Sequence, residues 1–236
     1  MKIFLDSADF NEVEKWLQQG VIDGVTTNPS IMFKDGVYEI ENGARRLASM
    51  MGERPVSVEV TTNDHQEMIR QAREFASWAR NLVVKIPVVN EYGESCLGVV
   101  YALNQEGIRI NTTAILSFNQ AMLAAKAGAT YVSIFMGRIA DEGNDPAIVI
   151  RNVRQWLDRW GCSTKIIIGS IRTAMDIQNA ALAGADIITI PPQFLPKIVN
   201  HHYTRETVRQ FNRDAEKALA QIAHVRAAGN GGARTA

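Results

Sequence analysis

Short runs rich in Val, Ile and Leu alternate along the chain with longer stretches whose apolar residues fall three or four apart. The runs cover residues 2–5, 22–25, 56–60, 82–86, 108–110, 131–135, 165–168 and 187–190, and each predicts a strand. Helical spacing is clearest over 67–78, where Met68, Ala72 and Phe75 share a face, over 118–127, and over 148–160, where Ile148, Val149, Val153, Trp156 and Leu157 do the same. Start signals fit these stretches: Ser7-Ala8-Asp9, Thr62-Asn63-Asp64, Ser117, and Asp145-Pro146. Strands that are apolar on both faces and alternate with helices form parallel sheets covered by helices. Eight such units predict an α/β fold, a single (β/α)8 TIM barrel, in preference to an open doubly wound sheet. A further amphipathic stretch over 204–225 carries Val208, Phe211, Ala215, Leu219 and Ile222 on one face with no ninth strand after it. This extra C-terminal helix is expected either to cover the barrel or to dock on another subunit. Barrel and helix are expected to make one domain over 1–225, and the Gly-containing residues 226–236 a flexible tail.

Composition narrows the function more than the fold. The 236 residues carry 25 Lys and Arg against 25 Asp and Glu, so bulk charge gives no reason to expect a nucleic-acid partner. The 2 cysteines, Cys96 and Cys162, form no CxxC pair, and His65, His201, His202 and His224 lack metal-ligand spacing, so no metal site is expected. No GxGxxG or P-loop follows a strand, and no cofactor is expected. The first residues place Asp6 and Asp9 where a signal peptide needs an apolar core, and no apolar run reaches the ~18 residues of a spanning helix, so a cytoplasmic protein without a membrane partner is expected.

Chemistry in such barrels sits at the carboxyl ends of the strands, and there the polar residues collect. The first strand ends at Asp6, the second at Thr26 and Asn28, and the fifth at Asn111 and Thr113. The third carries Glu59 and the fourth Lys85; the sixth carries Ser133, then Phe135 and Arg138; the seventh ends at Ser170 and Arg172. Pairs two residues apart face the same way while the strand persists, so these groups can converge on one pocket. Short polar groups at strand ends suit a polyhydroxylated ligand. Arg138, Ser170 and Arg172 fall where barrel enzymes recurrently bind phosphate, and a guanidinium offers a phosphate two donors at once.

Lys85 is the only charge in Leu-Val-Val-Lys-Ile-Pro-Val-Val, a costly setting for an ammonium ion. It can reach the rim or pair with Glu59 as a structural bridge. Alternatively it is a nucleophile: burial beside Arg138 and Arg172 favours the neutral amine, which attacks carbonyls, while Asp6 and Glu59 oppose that shift and supply proton carriers. Asp6 and Glu59 are likewise open to a purely structural reading as ion-pair partners.

At these residues the chain resembles the transaldolase family, in particular its short members, which include the fructose-6-phosphate aldolases. The resemblance rests on Phe-Leu-Asp-Ser-Ala at 4–8, Asp-Gly-Val-Thr-Thr-Asn-Pro-Ser at 23–30, Val-Val-Lys-Ile-Pro at 83–87, Gly-Ile-Arg-Ile-Asn-Thr-Thr at 107–113, Tyr-Val-Ser-Ile-Phe-Met-Gly-Arg-Ile at 131–139 and Gly-Ser-Ile-Arg at 169–172. It implies that Lys85 forms a Schiff base with a ketose, that Asp6 is the acid and base of carbon–carbon cleavage, and that Glu59 moves protons through a water held by Thr113. It further implies that Thr26, Asn28, Asn111, Ser133 and Phe135 contact the substrate, and that Ser170, Arg138 and Arg172 bind its phosphate. Sugar phosphates are the implied partners, and pentamers or decamers the implied assembly.

Within the family the aldolase branch is expected to carry Gln in place of Glu59 and Tyr in place of Phe135; both positions here have the transaldolase form. Ile134 departs from the Pro of many relatives and is expected to bear on where Phe135 lies. The resemblance therefore implies transfer of a dihydroxyacetone unit between sugar phosphates. The rivals are an aldolase releasing free dihydroxyacetone and a sugar-phosphate-binding barrel without catalysis.

Overall fold

A computed structural model of the chain describes residues 1–231. Eight strands close into a barrel in chain order: β1 (Lys2–Asp6), β2 (Gly24–Thr26), β3 (Val56–Glu59), β4 (Leu82–Pro87), β5 (Ile110–Ile115), β6 (Tyr131–Phe135), β7 (Lys165–Gly169) and β8 (Ile187–Ile190). Every neighbouring pair is parallel, and β1 completes the circle against β8. Helices separate the strands: α1 (Phe10–Gln18), α2 (Pro29–Lys34) and α3 (Ile40–Met51), α4 (His65–Trp78), α5 (Leu97–Gln105), α6 (Phe118–Lys126), α7 (Met136–Asp141) and α8 (Pro146–Arg159), and α9 (Ala174–Leu182). The expected (β/α)8 barrel is therefore the fold, and the expected helix starts hold as caps. Asp9, Asp64, Ser117 and Asp145 each accept a backbone N–H from the first turn of α1, α4, α6 and α8.

The inside of the barrel is layered. Toward the amino ends of the strands, Phe4, Ile167 and Ile187 form a buried cluster against Tyr131, whose ring meets Phe4 edge-on at 6.5 Å between centroids. Gly24, the register partner of Phe4, leaves space for that ring: a Cβ there would lie 2.5 Å from it. Two residues further along the same strands stand Asp6, Ser133, Gly169 and Thr189, and with them the interior turns polar.

Boundaries move where the polar site overlaps a strand. The apolar run over 108–110 marks β5, which runs Ile110–Ile115: the polar Asn111, Thr112 and Thr113 at its end are fully or almost fully buried ladder residues. Its pairing with β6 shifts between Thr112 and Ile115, and Ala114 in that shift has φ 58°. A left-handed backbone at a residue other than Gly costs about 1–3 kcal/mol and is held only by surrounding structure.

The barrel unit spans Met1–Phe194, and a second compact unit begins at Leu195. It contains α10 (Leu195–Val199) and α11 (His202–Gly231), a helix of 30 residues. The extra C-terminal helix thus exists, starts two residues earlier than Thr204, and continues past Val225, where the flexible tail was expected. Residues 226–231 are helical, and the remainder of that tail, 232–236, lies outside the described residues. Val208, Phe211, Leu219 and Ile222 are exposed on α11. Among the described residues no helix is long and apolar enough to cross a membrane.

Candidate active site

The carboxyl ends of the strands surround a cavity of about 240 Å³. Its lining brings together Asp6, Thr26, Asn28, Lys85, Ser133, Phe135, Arg138, Ser170 and Arg172, all expected from sequence, and adds Gly169 and Thr189. Glu59, Asn111 and Thr113 are not in the lining; Glu59 and Asn111 touch residues that are.

Lys85 points into the barrel and is 4% exposed. Its ammonium donates to the Thr27 carbonyl at 2.8 Å and lies 3.0 Å from the Glu59 carboxylate. The strand register fixes this pairing, since Glu59 and Lys85 are partners across β3 and β4. Glu59 is thus poised to take a proton directly from the lysine. The arginines invoked in the sequence reading are exposed residues after β6 and β7, so the groups in immediate contact with the ammonium are an acid and a carbonyl.

Asp6 ends β1 opposite Thr26 on β2. The Thr26 hydroxyl donates to Asp6 Oδ1 at 2.6 Å and lies 2.5 Å from the Thr189 hydroxyl. Burial pushes the Asp6 carboxyl above the usual carboxylate range; the Thr26 hydrogen bond and the Lys85 charge pull it down, and Asp35 and Glu59 push it up. The turn after Asp6 is tied to the end of α2, because Asp35 accepts from the Ser7 hydroxyl at 2.7 Å and the Ala8 N–H at 2.8 Å.

A polar chain crosses the opposite wall. Ser133 donates to Asn111 Oδ1 at 2.7 Å, and Asn111 Nδ2 lies 3.3 Å from the Ser57 hydroxyl. Asn28 caps α2 by accepting the Ile31 N–H at 2.8 Å, which leaves its amide nitrogen to the cavity. The Thr113 hydroxyl is buried without a hydrogen-bond partner among the described residues. Phe135 lines the cavity, and Ile134 is fully buried between partners on β5 and β7, so the β6–β7 ladder stays regular through Phe135.

The rim after β6 and β7 is built by close backbone approach. The Gly137 N–H donates to the Ser170 carbonyl at 3.1 Å, and a Cβ at Gly137 would lie 2.1 Å from that oxygen. Ser170 itself holds φ 61°. Arg138 has no hydrogen bond or ion pair among the described residues, whereas Arg172 is bridged to Asp141 at 2.9 Å. Among the described residues no three His, Cys, Asp or Glu side chains are grouped as metal ligands.

Sequence reasoning missed Thr189, Thr27, Ser57 and Gly169. Thr189 had a signal, as the one hydroxyl in Ile-Ile-Thr-Ile, and Ser57 a similar one in β3. Thr27 acts through a carbonyl, which any residue carries, and so had none.

Solved structures with similar barrels include thiamine phosphate pyrophosphorylase from Pyrococcus furiosus (TM-score 0.55, 13% identity, 80% of this chain and 85% of that one) and inosine 5' monophosphate dehydrogenase from Legionella pneumophila (TM-score 0.56, 15% identity, 81% and 58%). At such identity the likeness is one of fold alone. Sequence relatives are far closer. A protein called "Probable transaldolase" in Dehalococcoides mccartyi is 39% identical over 91% of this chain and 97% of its own length, and one of the same name in Lactiplantibacillus plantarum is 42% identical over 91% and 96%. "Probable transaldolase 2" of Listeria monocytogenes is 42% identical over 92% and 96%. The family model described as Transaldolase/Fructose-6-phosphate aldolase matches residues 3–231. A match across nearly the whole barrel, with relatives aligned over almost their full length, makes this chain a member of the transaldolase/fructose-6-phosphate aldolase family.

Proposed function

We propose that the protein is a transaldolase, moving a dihydroxyacetone unit from a ketose phosphate such as sedoheptulose 7-phosphate to glyceraldehyde 3-phosphate. Erythrose 4-phosphate and fructose 6-phosphate are then the products. The observation that carries this reading is the buried Lys85 amine, facing the cavity with a carboxylate 3.0 Å away. Glu59 takes the ammonium proton, and the neutral amine attacks the ketone carbon to give a carbinolamine. Glu59, working through a water that the unpaired Thr113 hydroxyl can hold, returns the proton to the departing oxygen; water leaves and a protonated imine remains. Asp6 removes the proton of the hydroxyl on the carbon beyond the scissile bond. That bond breaks, its electron pair flows into the imine to give an enamine, and the first aldehyde departs. Attack of the enamine on the second aldehyde, with Asp6 returning its proton, reverses the sequence.

Asn28, Ser133 and Thr26 hold the three-carbon unit, with Asn111 acting through its bond to Ser133, and Arg138, Ser170 and Arg172 hold the phosphate. Phe135 offers no hydroxyl to position a hydrolytic water, which favours transfer over release of free dihydroxyacetone. The same reading places the reaction in pentose phosphate metabolism of the cytoplasm. It also makes the protein a homo-oligomer, with the exposed apolar residues of α11 as available contact surface.

Borohydride reduction in the presence of fructose 6-phosphate is expected to fix a three-carbon adduct on the Lys85 peptide, and an unmodified peptide would leave only a binding barrel. Fructose 6-phosphate consumption is expected to require erythrose 4-phosphate or another acceptor aldehyde. Equal turnover without one would make the protein an aldolase.

A further inference from the structure

We infer that Thr189 is a positioning residue for Asp6, acting through Thr26: its hydroxyl proton sets the direction of a hydrogen-bond chain that occupies Asp6 Oδ1 and leaves Oδ2 to exchange protons with the substrate. The inference rests on the proposed function, in which Asp6 is the acid and base of carbon–carbon cleavage.

An ionised carboxylate only accepts, so the 2.6 Å contact between Thr26 and Asp6 uses the single hydroxyl proton of Thr26. The 2.5 Å contact between Thr26 and Thr189 then needs a proton that Thr26 no longer has, and Thr189 must supply it. Thr26 and Thr189 come from the two strands that flank β1, since β1 pairs with β2 on one side and with β8 on the other, and their hydroxyls meet at the carboxyl end of the barrel. Thr189 is 4% exposed in an otherwise apolar run, a place where a hydroxyl is costly unless it is bonded. Its methyl is held as well: Cγ2 lies 3.5 Å from where a Cβ of Gly169 would stand, so a β-branched side chain is seated between Gly169 and Thr26. Donation into the Thr26 oxygen polarises that hydroxyl and strengthens its own donation to Asp6. No other hydrogen bond to the Asp6 carboxyl is made among the described residues, so the atom free for proton transfer is Oδ2.

The charges that act on Asp6 come from Lys85 on β4, Glu59 on β3 and Asp35 at the end of α2, while Arg138 and Arg172 line the same cavity from beyond β6 and β7. None of them hydrogen-bonds to Thr189 among the described residues, so a change there acts on Asp6 through the chain.

Thr189→Val keeps the shape and removes the proton. It is expected to lower kcat about 3- to 10-fold with little change in KM, and to raise the acid limb of the kcat/KM profile by about 0.3 to 1 pH unit. Thr189→Ser is expected to restore both. Borohydride trapping of free dihydroxyacetone at Lys85, which needs no carbon–carbon cleavage, should be undiminished in either variant, which separates this step from imine formation. A Val variant whose acid limb stays put, or whose loss appears only in KM, overturns the inference and leaves Thr189 as cavity wall. Should the wild-type protein show neither turnover nor trapping, the proposed function fails. The Asp6 carboxyl titration, followed by carbon NMR and assigned with Asp6→Asn, then decides the inference separately. A midpoint raised by Thr189→Val supports it, and an unmoved midpoint overturns it.

Discussion

Phe4 and Asp6 share a strand and a face, about 7 Å apart along β1, yet they do opposite work. The same step separates Tyr131 from Ser133, Ile167 from Gly169 and Ile187 from Thr189. One layer of the barrel closes it with apolar contacts, and the next turns the remaining space over to hydroxyls, carboxylates and an amine. The division teaches that stability and chemistry are assigned by register: a slip of one residue in any strand would move both layers to the outer face at once. Separate layers should therefore be separable by mutation.

The strongest way to break the comparison is Lys85→Ala, which should cut turnover by at least about 10⁴-fold, abolish borohydride trapping, and leave the far-UV circular dichroism of a folded barrel. Retained wild-type turnover would be fatal to the mechanism. Phe4→Ala attacks the other layer and should cost about 3–5 kcal/mol in denaturant unfolding, while trapping at Lys85 persists in the folded fraction. If Phe4→Ala lost trapping without losing stability, the two layers would not be independent.

Asp6→Asn is expected to slow cleavage about 10²- to 10⁴-fold yet to stabilise the fold at neutral pH. The sign follows from the raised Asp6 carboxyl: the folded state binds its proton more tightly than the unfolded chain, so stability falls as pH rises through that window. Comparative melts across acidic and neutral pH should show the gain of Asp6→Asn at neutral pH and its disappearance once the wild-type group is protonated.

The smallest effect concerns the rim. Asp141 competes with a phosphate for Arg172, and both partners are about half exposed, so the pair is worth only about 0.2–1 kcal/mol. Asp141→Asn should lower KM for phosphorylated substrates by up to about 5-fold and leave free dihydroxyacetone unaffected; a raised KM would mean that Asp141 orients the arginine instead.

Much of this was readable in the order of residues. The alternation of β-branched runs with amphipathic stretches gave the barrel, and Asp9, Asp64, Ser117 and Asp145 marked helix starts through their capping chemistry. Lys85 stood out because nothing else charged shares its strand. What escaped has physical reasons. The length of β5 beyond its apolar run is hidden because a strand that faces a polar cavity loses its apolar signature. The lysine's immediate partners are a carbonyl and a carboxylate set by register across β3 and β4, and Thr27 leaves no mark by side-chain type. Arg172 promised a free phosphate ligand, but Asp141, thirty-one positions earlier, already holds it.

The bond from Gly137 to Ser170 joins the start of α7 to the segment after β7, and each of the two carries one of the rim arginines. Tethered at that point, the two segments are positioned together, so an anion arriving at Arg138 meets the Arg172 segment beside it. Under the proposed function, affinity for the phosphate then depends on a hydrogen bond made entirely by main-chain atoms, and a methyl group added at residue 137 would loosen both ends of the clamp together.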